Sequence, residues 1–344
     1  MTFVTIVIPC RNEERFIENC LDSIIAQDYP KDCLEVLVVD GTSTDKTYEV
    51  VDKYAKRHHF IRPLINPRGI VPTALNIGIM AARGDIIMRM DAHCTYGHDY
   101  ISKCVYYLEA HSEVDNVGGI CVTLPGNDTL VAQSIALGMS HPFGVGNSYF
   151  RIGTKRQRYV DTVPFGCYRR RVFSRIGLFD EDLVRTQDSE FNARLTKNGC
   201  RNLLVPEIVC YYYARPSLKS LWRMQFQYGY FKPLATKKIG TVLAMRHMVP
   251  PLFVGTIIFL SMASFVSAVF AELLLVTILV YGIVNVAVSL RIAVAKRLAC
   301  LLVLPWVFLT MHFAWGLGCM KGIWMFLVVR RGTKGMVPDL PLTR

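Results

Sequence analysis

The sequence predicts an α/β domain built on a mostly parallel sheet, followed by a C-terminal helical membrane region. Three observations carry this. Short apolar runs alternate with helical spacings over the first 125 residues, charged and chemically active residues fall where those runs end, and long stretches without a charge follow Met248. Strands that are apolar throughout, each followed by a helix, belong to a sheet covered on both faces.

Taken in order, Phe3–Pro9 is a β-branched run, and Asn12–Gln27 places Phe16, Ile17, Leu21, Ile24 and Ile25 at helical spacing. Leu34–Asp40 reads as a strand, Lys46–Lys56 as a helix, Phe60–Asn66 as a strand and Thr73–Arg83 as a helix. Asp85–Asp91 and Val117–Leu124 are strand-like, with a helix starting at Tyr100 between them. Ligands of such sheets bind beyond the C-terminal ends of the strands.

The three uncharged stretches, 248–271, 273–290 and 298–320, are each close to the ~20 residues that cross a hydrocarbon core. The net charge of +12 is not spread evenly: residues 1–211 are near neutral, and the excess lies in 212–247 and beyond. Basic residues beside apolar spans belong on the cytoplasmic side. This distribution excludes nucleic acid as a partner, because the globular part has no basic stripe. The first two stretches form a hairpin. The third, with Arg330 and Arg331 after it, calls for a re-entrant pair broken at Pro305 or at Gly316, Gly318 and Gly322, or for a segment lying in the interface. Residues 217–247 mix Trp, Phe and Tyr with Lys and Arg, as an interfacial segment does. The expected division is 1–215 for the catalytic domain, 216–247 for the basic interfacial segment, 248–330 for two to four spans and 331–344 for a basic cytoplasmic tail. Eleven scattered cysteines without a CxxC pair suit a reducing compartment, and the N-terminus lacks the basic start of a signal peptide.

The first run ends in Pro9-Cys10-Arg11-Asn12-Glu13-Glu14, the second in Asp40-Gly41-Thr42-Ser43, the fourth in Asp91-Ala92-His93. Asp40 emerges at the sheet edge, placed to accept hydrogen bonds from a ribose or base; the alternative is a helix cap, for which Thr44 and Asp45 are better placed. Asp91 and His93 can face one divalent cation, Mg²⁺ or Mn²⁺, the imidazole tilting the choice toward Mn²⁺. His93 equally fits a hydrogen-bonding role outside the cation's ligand set. Asp188 opens a helix over Ser189–Lys197 and is either a cleft-facing carboxylate or a helix cap.

The segments VTIVIPCRNEE, VVDGTSTDKT, ALNIGIMAARGDIIMRMDAH, VPFGCYRRRVFSRIGLFDE and QDSEFNARL follow one another in an order that resembles the inverting, GT-A-fold glycosyltransferases of family 2. The likeness is greatest to the membrane-bound branch that builds bacterial exopolysaccharides, and it covers residues 3 to about 230. It implies that Pro9, Glu13 and Asp40 line a nucleoside pocket. Asn76 and Arg83 then hold donor or strand-end geometry, and Asp91 meets a metal–diphosphate. His93 stands where the family's commonest Asp-x-Asp motif has its second Asp. Asp188 matches the family's catalytic base, with Gln187 in place of the usual Glu; if Asp188 is only a cap, Glu190 serves instead, and otherwise Glu190 and Arg194 support the helix. Gly166-Cys167-Tyr168, ahead of a basic helix Arg169–Arg175, floors the acceptor site or is an ordinary turn before a solvated helix. Arg223, Gln225, Gln227 and Tyr228 fall near the family's Gln-x-x-Arg-Trp gate, out of register.

The expected function is inverting sugar transfer from a nucleotide sugar, such as a UDP-hexose, to a saccharide on a polyprenyl diphosphate. The competing readings are a polyprenyl-phosphate sugar synthase, a processive polysaccharide synthase and a non-catalytic nucleotide-sugar-binding scaffold. The expected partners are a nucleotide-sugar donor, a lipid-linked acceptor, the membrane and, as an open option, other polysaccharide-assembly proteins. The expected location is the plasma membrane, multi-pass, with the catalytic domain in the cytoplasm.

Overall fold

The computed structural model describes residues 1–241 and 244–329. The chain divides into two compact units: Met1–Val122 with Gly153–Tyr212, and Thr123–Ile152 with the chain from Tyr213 onward. The sequence reading draws a single boundary at 215. The structure instead groups residues 123–152 with the C-terminal helices. The apolar helix Leu130–Met139 explains this, since Leu130 and Leu137 pack against a cluster formed by Ile292, Leu304 and Phe308.

The first unit is organised on a nine-stranded sheet among the described residues: β1 (Val4–Cys10), β2 (Leu34–Asp40), β3 (Ile61–Ile65), β4 (Ile86–Arg89), β5 (Cys94–Tyr96), β6 (Asn116–Leu124), β7 (Arg158–Val160), β8 (Cys167–Arg169) and β9 (Asn202–Tyr213). Their order is β3-β2-β1-β4-β8-β6-β9-β5, with β7 also on β9. The half β3-β2-β1-β4 is parallel, as the alternation of strands and helices requires. Its crossovers are the helices Ile17–Ile25, Thr47–Arg57 and Val71–Ala81. Every residue of β2 is buried, which is the two-sided burial that its unbroken apolar text predicts. Beyond β4 the pairings that β8 makes with β4 and β6, and that β5 and β7 make with β9, are antiparallel. The sheet is therefore mixed, where the sequence suggests a mostly parallel one. The three-residue strands β5, β7 and β8 are too short to show a hydrophobic period.

The helix Val71–Ala81 lies tight on β1 because Gly78 admits it: a Cβ there would sit 2.3 Å from Val7 Cγ1. A stacked aromatic group of Phe173, Phe179 and Phe191, with Tyr168 edge-on to Phe191, fills the core behind β4 and β8.

In the second unit, three helices among the described residues are long and apolar enough to span a membrane: Met245–Ala263, Ala268–Ala295 and Leu304–Val328. The third runs unbroken through Gly316, Gly318 and Gly322, so the re-entrant pair expected at those glycines does not form. They serve close packing instead. A Cβ at Gly318 would meet Phe226 O at 2.2 Å, one at Gly322 would meet Tyr230 O at 2.2 Å, and one at Gly316 would meet Pro250 O at 2.7 Å. Small residues that let backbones approach are how helices associate in lipid, where apolar contact alone gives no preference for protein. Arg330, Arg331 and the expected tail lie outside the described residues. The segment expected to be interfacial is mainly one helix, Leu218–Ile239, started by a Ser217–Ser220 capping box and ended at Gly240 in the left-handed region. Ten of the eleven cysteines are buried, Cys33 is partly exposed, and all are free thiols.

Candidate active site

The C-terminal ends of the parallel strands gather the sequence's candidate residues in the first unit. After β1, the loop through Asn12 and Glu13 is laced to the loop after β2. Asn12 N donates to Ser43 Oγ at 2.9 Å, Thr44 N donates to Asn12 Oδ1 at 2.8 Å, and Glu13 N donates to Thr47 Oγ1 at 2.7 Å. Pro9 pairs with Val39 and Cys10 with Asp40, which sets the two loops side by side. Asp40 is buried and accepts from Ser43 N at 2.9 Å and from the Ser43 hydroxyl, so the turn itself orients its carboxylate. Asp45, as the sequence suggests, starts the following helix by accepting from Thr47 N. Burial, then the charges of Asp40 and Glu13, push the Cys10 thiol well above its ordinary range. It therefore stays an uncharged part of the floor.

At the end of β4, Asp91 is fixed through its backbone: its N–H donates to Tyr96 Oη at 2.7 Å, and its carbonyl accepts from Cys94 N at 3.1 Å. Two residues on, His93 Nδ1 lies 3.1 Å from Glu13 Oε1, and both side chains are nearly buried. Where the neutral ring donates from Nδ1 to this carboxylate, Nε2 is left as the acceptor, the arrangement that carboxylates commonly impose on metal-binding histidines. Asp91 with its carboxylate and His93 with Nε2 are residue types that could hold a divalent cation. Among the described residues no group of three such side chains forms. A cation here would take its remaining ligands from water or from a diphosphate, as Mg²⁺ commonly does.

Sequence reasoning passed over the residue at the centre of the site. Arg89, the last residue of β4, points its guanidinium between two carboxylates. It is bidentate to Asp91, with Nε to Oδ1 at 2.9 Å and Nη2 to Oδ2 at 3.2 Å, and its Nη1 pairs with Asp188 Oδ1. Burial opposes its charge, but Asp188 and Asp91 outweigh that and hold the guanidinium protonated well beyond its usual range. Its own backbone N–H is held by Gly166 O at 3.0 Å. The signal lay in the text, since an Arg in Ile-Ile-Met-Arg-Met, on a strand otherwise apolar, needs a buried partner.

Asp188 lies in the first turn of the helix Gln187–Lys197, its side chain 45% exposed. The helix cap is Thr186, and the cap makes no side-chain hydrogen bond. Glu190, by contrast, is buried and has both oxygens on Arg194, at 2.8 and 3.0 Å, while Arg194 also donates to Leu178 O. That pair ties the helix to the loop before it and engages both Glu190 oxygens.

Other candidates are placed elsewhere. Asn76 is buried with its amide spent on Phe179 N, Phe179 O and Glu181, all near 2.9 Å, so it holds the loop at 179–181. Arg83 sits at the opposite end of the strands: its N–H and Nε bind Glu35, beside Thr5, near the starts of β2 and β1. It does not join the site residues. Gly166 is at the site end of β8, next to Arg89. Because β8 runs antiparallel to β4, the arginines after it are carried to the far edge. Arg169 and Arg170 donate to Val114 O and Gly84 O, and Arg171 pairs with Asp115. The expected basic helix starts only at Arg171, and these arginines are structural. Arg223, Gln225, Gln227 and Tyr228 belong to the second unit, on the helix Leu218–Ile239. Arg223 is exposed, Gln225 and Gln227 are buried, and Tyr228 lies 6.4 Å from the Trp315 ring.

The non-glycine residues with positive φ among those described are Asn12, Thr42, Phe165 and Thr186. Each precedes or adjoins a site segment: Glu13, Asp40–Ser43, Gly166 and Asp188. Asn tolerates this region, but for a β-branched Thr or a bulky Phe it is costly, and such strain collects at functional sites.

Residues 5–177 match the family described as glycosyl transferase family 2. A dolichyl N-acetyl-alpha-D-glucosaminyl phosphate 3-beta-D-2,3-diacetamido-2,3-dideoxy-beta-D-glucuronosyltransferase of Methanococcus voltae is 33% identical over 69% of this chain and 75% of its own length. The succinoglycan biosynthesis protein ExoA of Rhizobium meliloti is 29% identical over 71% of this chain and 73% of its own. Among solved structures, a mannosyltransferase from Pyrobaculum calidifontis, in complex with GDP-Man and Mn²⁺, shares the fold with a TM-score of 0.61 and 23% identity, covering 94% of this chain and 88% of that one. An α/β domain of this topology, carrying its acidic residues at the parallel strand ends and matching over half the chain, identifies the protein as a member of glycosyl transferase family 2.

Proposed function

We propose that this glycosyltransferase moves a sugar, with inversion, from a nucleotide-sugar donor to a saccharide carried on a lipid phosphate or diphosphate, at the cytoplasmic face of a membrane. The observation that carries the reading is the Asp91–Arg89–Asp188 array, which sets a leaving-group carboxylate and a solvent-reaching carboxylate on either side of one buried cation. Asp40, Glu13 and Pro9 form the nucleoside end of the pocket. Asp91 and His93 hold Mn²⁺ or Mg²⁺, which when bound neutralises charge on the departing diphosphate. Asp188 takes the proton of the acceptor hydroxyl as it attacks the anomeric carbon from the face opposite the leaving group, so one carboxylate suffices and no covalent sugar–enzyme step is needed.

The lipid-linked acceptor is supported by the name of the Methanococcus relative, a transferase acting on a dolichyl-phosphate saccharide, and by the three membrane-length helices among the described residues. Arg223, Gln225, Gln227 and Tyr228 supply residue types that bind phosphate oxygens, and an acceptor-side role is proposed for them on that ground. Gly166 is kept for the acceptor side through its place beside Arg89.

The test uses membranes containing the full chain, a panel of nucleotide sugars beginning with UDP-hexoses, and lipid-linked acceptors, with Mn²⁺ or with EDTA. Asp188→Asn is expected to lower transfer by about 10²–10⁴-fold with donor binding retained. Full transfer in that variant, or in EDTA, rules the mechanism out.

A further inference from the structure

The structure assigns Arg89 a task of its own: it is the counter-ion that stands in for the divalent cation at Asp91 and, at the same time, holds Asp188 in place. The inference rests on the reading of Asp91 as the cation's ligand.

The argument begins with charge. Asp91 and Asp188 approach one another across Arg89 with little solvent around the guanidinium, whose side chain is 10% exposed. Asp91, its side chain 15% exposed, is not stable there as a carboxylate without a positive partner, and the more open Asp188, 45% exposed, adds a like charge that the same partner offsets. Arg89 supplies one, and with an economy that only a guanidinium allows: two of its nitrogens serve Asp91 and the third serves Asp188. Its backbone is pinned by Gly166, so the charge is delivered from a fixed strand end.

A divalent cation arriving with a diphosphate needs the Asp91 oxygens that Arg89 holds. Binding therefore requires that the two Arg89–Asp91 bonds be broken or shared. The Nη1 bond to Asp188 involves neither Asp91 oxygen and is free to persist. Arg89 then competes with the cation at one end while positioning the base at the other. Without a cation the carboxylates are neutralised, and a metal bound without its donor has to oppose a resident positive charge. Arg89 thus favours the cation that comes with a diphosphate, whose negative charge can receive the released guanidinium. It is a positioning residue acting through Asp188 and Asp91.

Full-length protein in detergent, with no nucleotide present, is titrated with Mn²⁺, and free Mn²⁺ is read by electron paramagnetic resonance. Arg89→Gln removes the competing charge and is expected to bind Mn²⁺ about tenfold more tightly than the wild type. Its kcat is expected to fall about 10–100-fold, with little rise in donor KM, because the Arg89–Asp188 ion pair is gone. Arg89→Lys keeps a charge but cannot bridge both carboxylates, so a smaller tightening, of a few fold, accompanies a similar loss of kcat. A merely structural arginine would not tighten a metal site on removal. Equal or weaker Mn²⁺ binding in Arg89→Gln, with Asp91→Asn abolishing it, overturns this inference and leaves the cation site standing. Mn²⁺ binding that persists in Asp91→Asn overturns both. If Arg89→Gln does not accumulate as folded protein, Arg89→Lys decides the question by the same comparison.

Discussion

Two carboxylates two positions apart, and so on opposite sides of one helix, have opposite environments, and this separates chemistry from architecture. Asp188 and Glu190 both sit near the start of one helix, and the sequence alone leaves either eligible as a base. The structure buries Glu190 against Arg194 and leaves Asp188 partly open. Removing one partner of a buried pair strands the other's charge, so Glu190→Gln is expected to cost about 2–4 kcal/mol of stability. Thermal unfolding checks this: a clear fall in Tm for Glu190→Gln, against little change for Asp188→Asn, is the expected contrast, and equal melting of the two variants would contradict it. Asp40 and Asp91 stood out in the sequence because they end apolar runs, and Asp188 because it opens a helix and matches the family's base by resemblance. Arg89 was not singled out because one arginine in a strand carries no periodic signal; only its two partners, two and ninety-nine positions away, give it meaning. Arg83 misled for a different reason. It was assigned by the resemblance alone, to donor or strand-end geometry, but it follows a helix, where the strands begin, and there it binds Glu35.

Elements followed the text wherever burial was two-sided and long. β2 is found at the bounds read from sequence, and β1, β3 and the crossover helices are displaced by few residues, except that the first helix starts at Ile17 where Asn12 was expected. Asn12, with φ of 55°, turns the chain into the loop that reaches Ser43 and Thr44, and the helix waits until that business is done. In the antiparallel half, β6 was read from the sequence as Val117–Leu124, whereas β5, β7 and β8 escaped notice because each has three residues. The glycines of the last helix were visible, but their effect was read as breakage. In a helix without water around it, a missing side chain is more useful as a place for another backbone. Gly318→Leu is expected to separate the helices Leu218–Ile239 and Leu304–Ile323, because a Cβ at Gly318 would lie 2.2 Å from Phe226 O. The expected loss is about 1–3 kcal/mol or more, as for overpacked interiors. Thermal stability in detergent measures it, and an unchanged Tm would show that the contact yields without cost.

For the molecule as a whole, the sequence separated a soluble-looking part from a lipid-compatible one, and the structure shows that the chain does not divide at one point. Residues 123–152 leave the α/β unit, join the helical unit, and the chain then returns at Gly153. Linear hydropathy could not show this, since Leu130–Met139 is too short to register as a span and apolar enough to pass for an ordinary core helix. The outer surface of Ala268–Ala295 presents Leu275, Val276, Leu279, Val280 and Ile283 more than half exposed, a surface suited to acyl chains. Alkaline carbonate, which releases proteins held only at the membrane surface, is therefore expected to leave the full chain in the membrane pellet; its appearance in the supernatant would mean that these helices do not cross.

The cysteines give the fold a further property. Because ten of the eleven thiols are shut away across both units, and burial raises those at Cys10, Cys20, Cys104 and Cys210, none of these reacts while its surroundings stay closed. Each becomes a clock for the opening of its own neighbourhood: Cys10 for the end of β1, Cys104 for the helix Tyr100–Ala110, Cys210 for β9, Cys300 for the helical unit. The native sequence thus carries an internal set of labels, and the order in which they take up an alkylating reagent maps the sequence in which the enzyme comes apart.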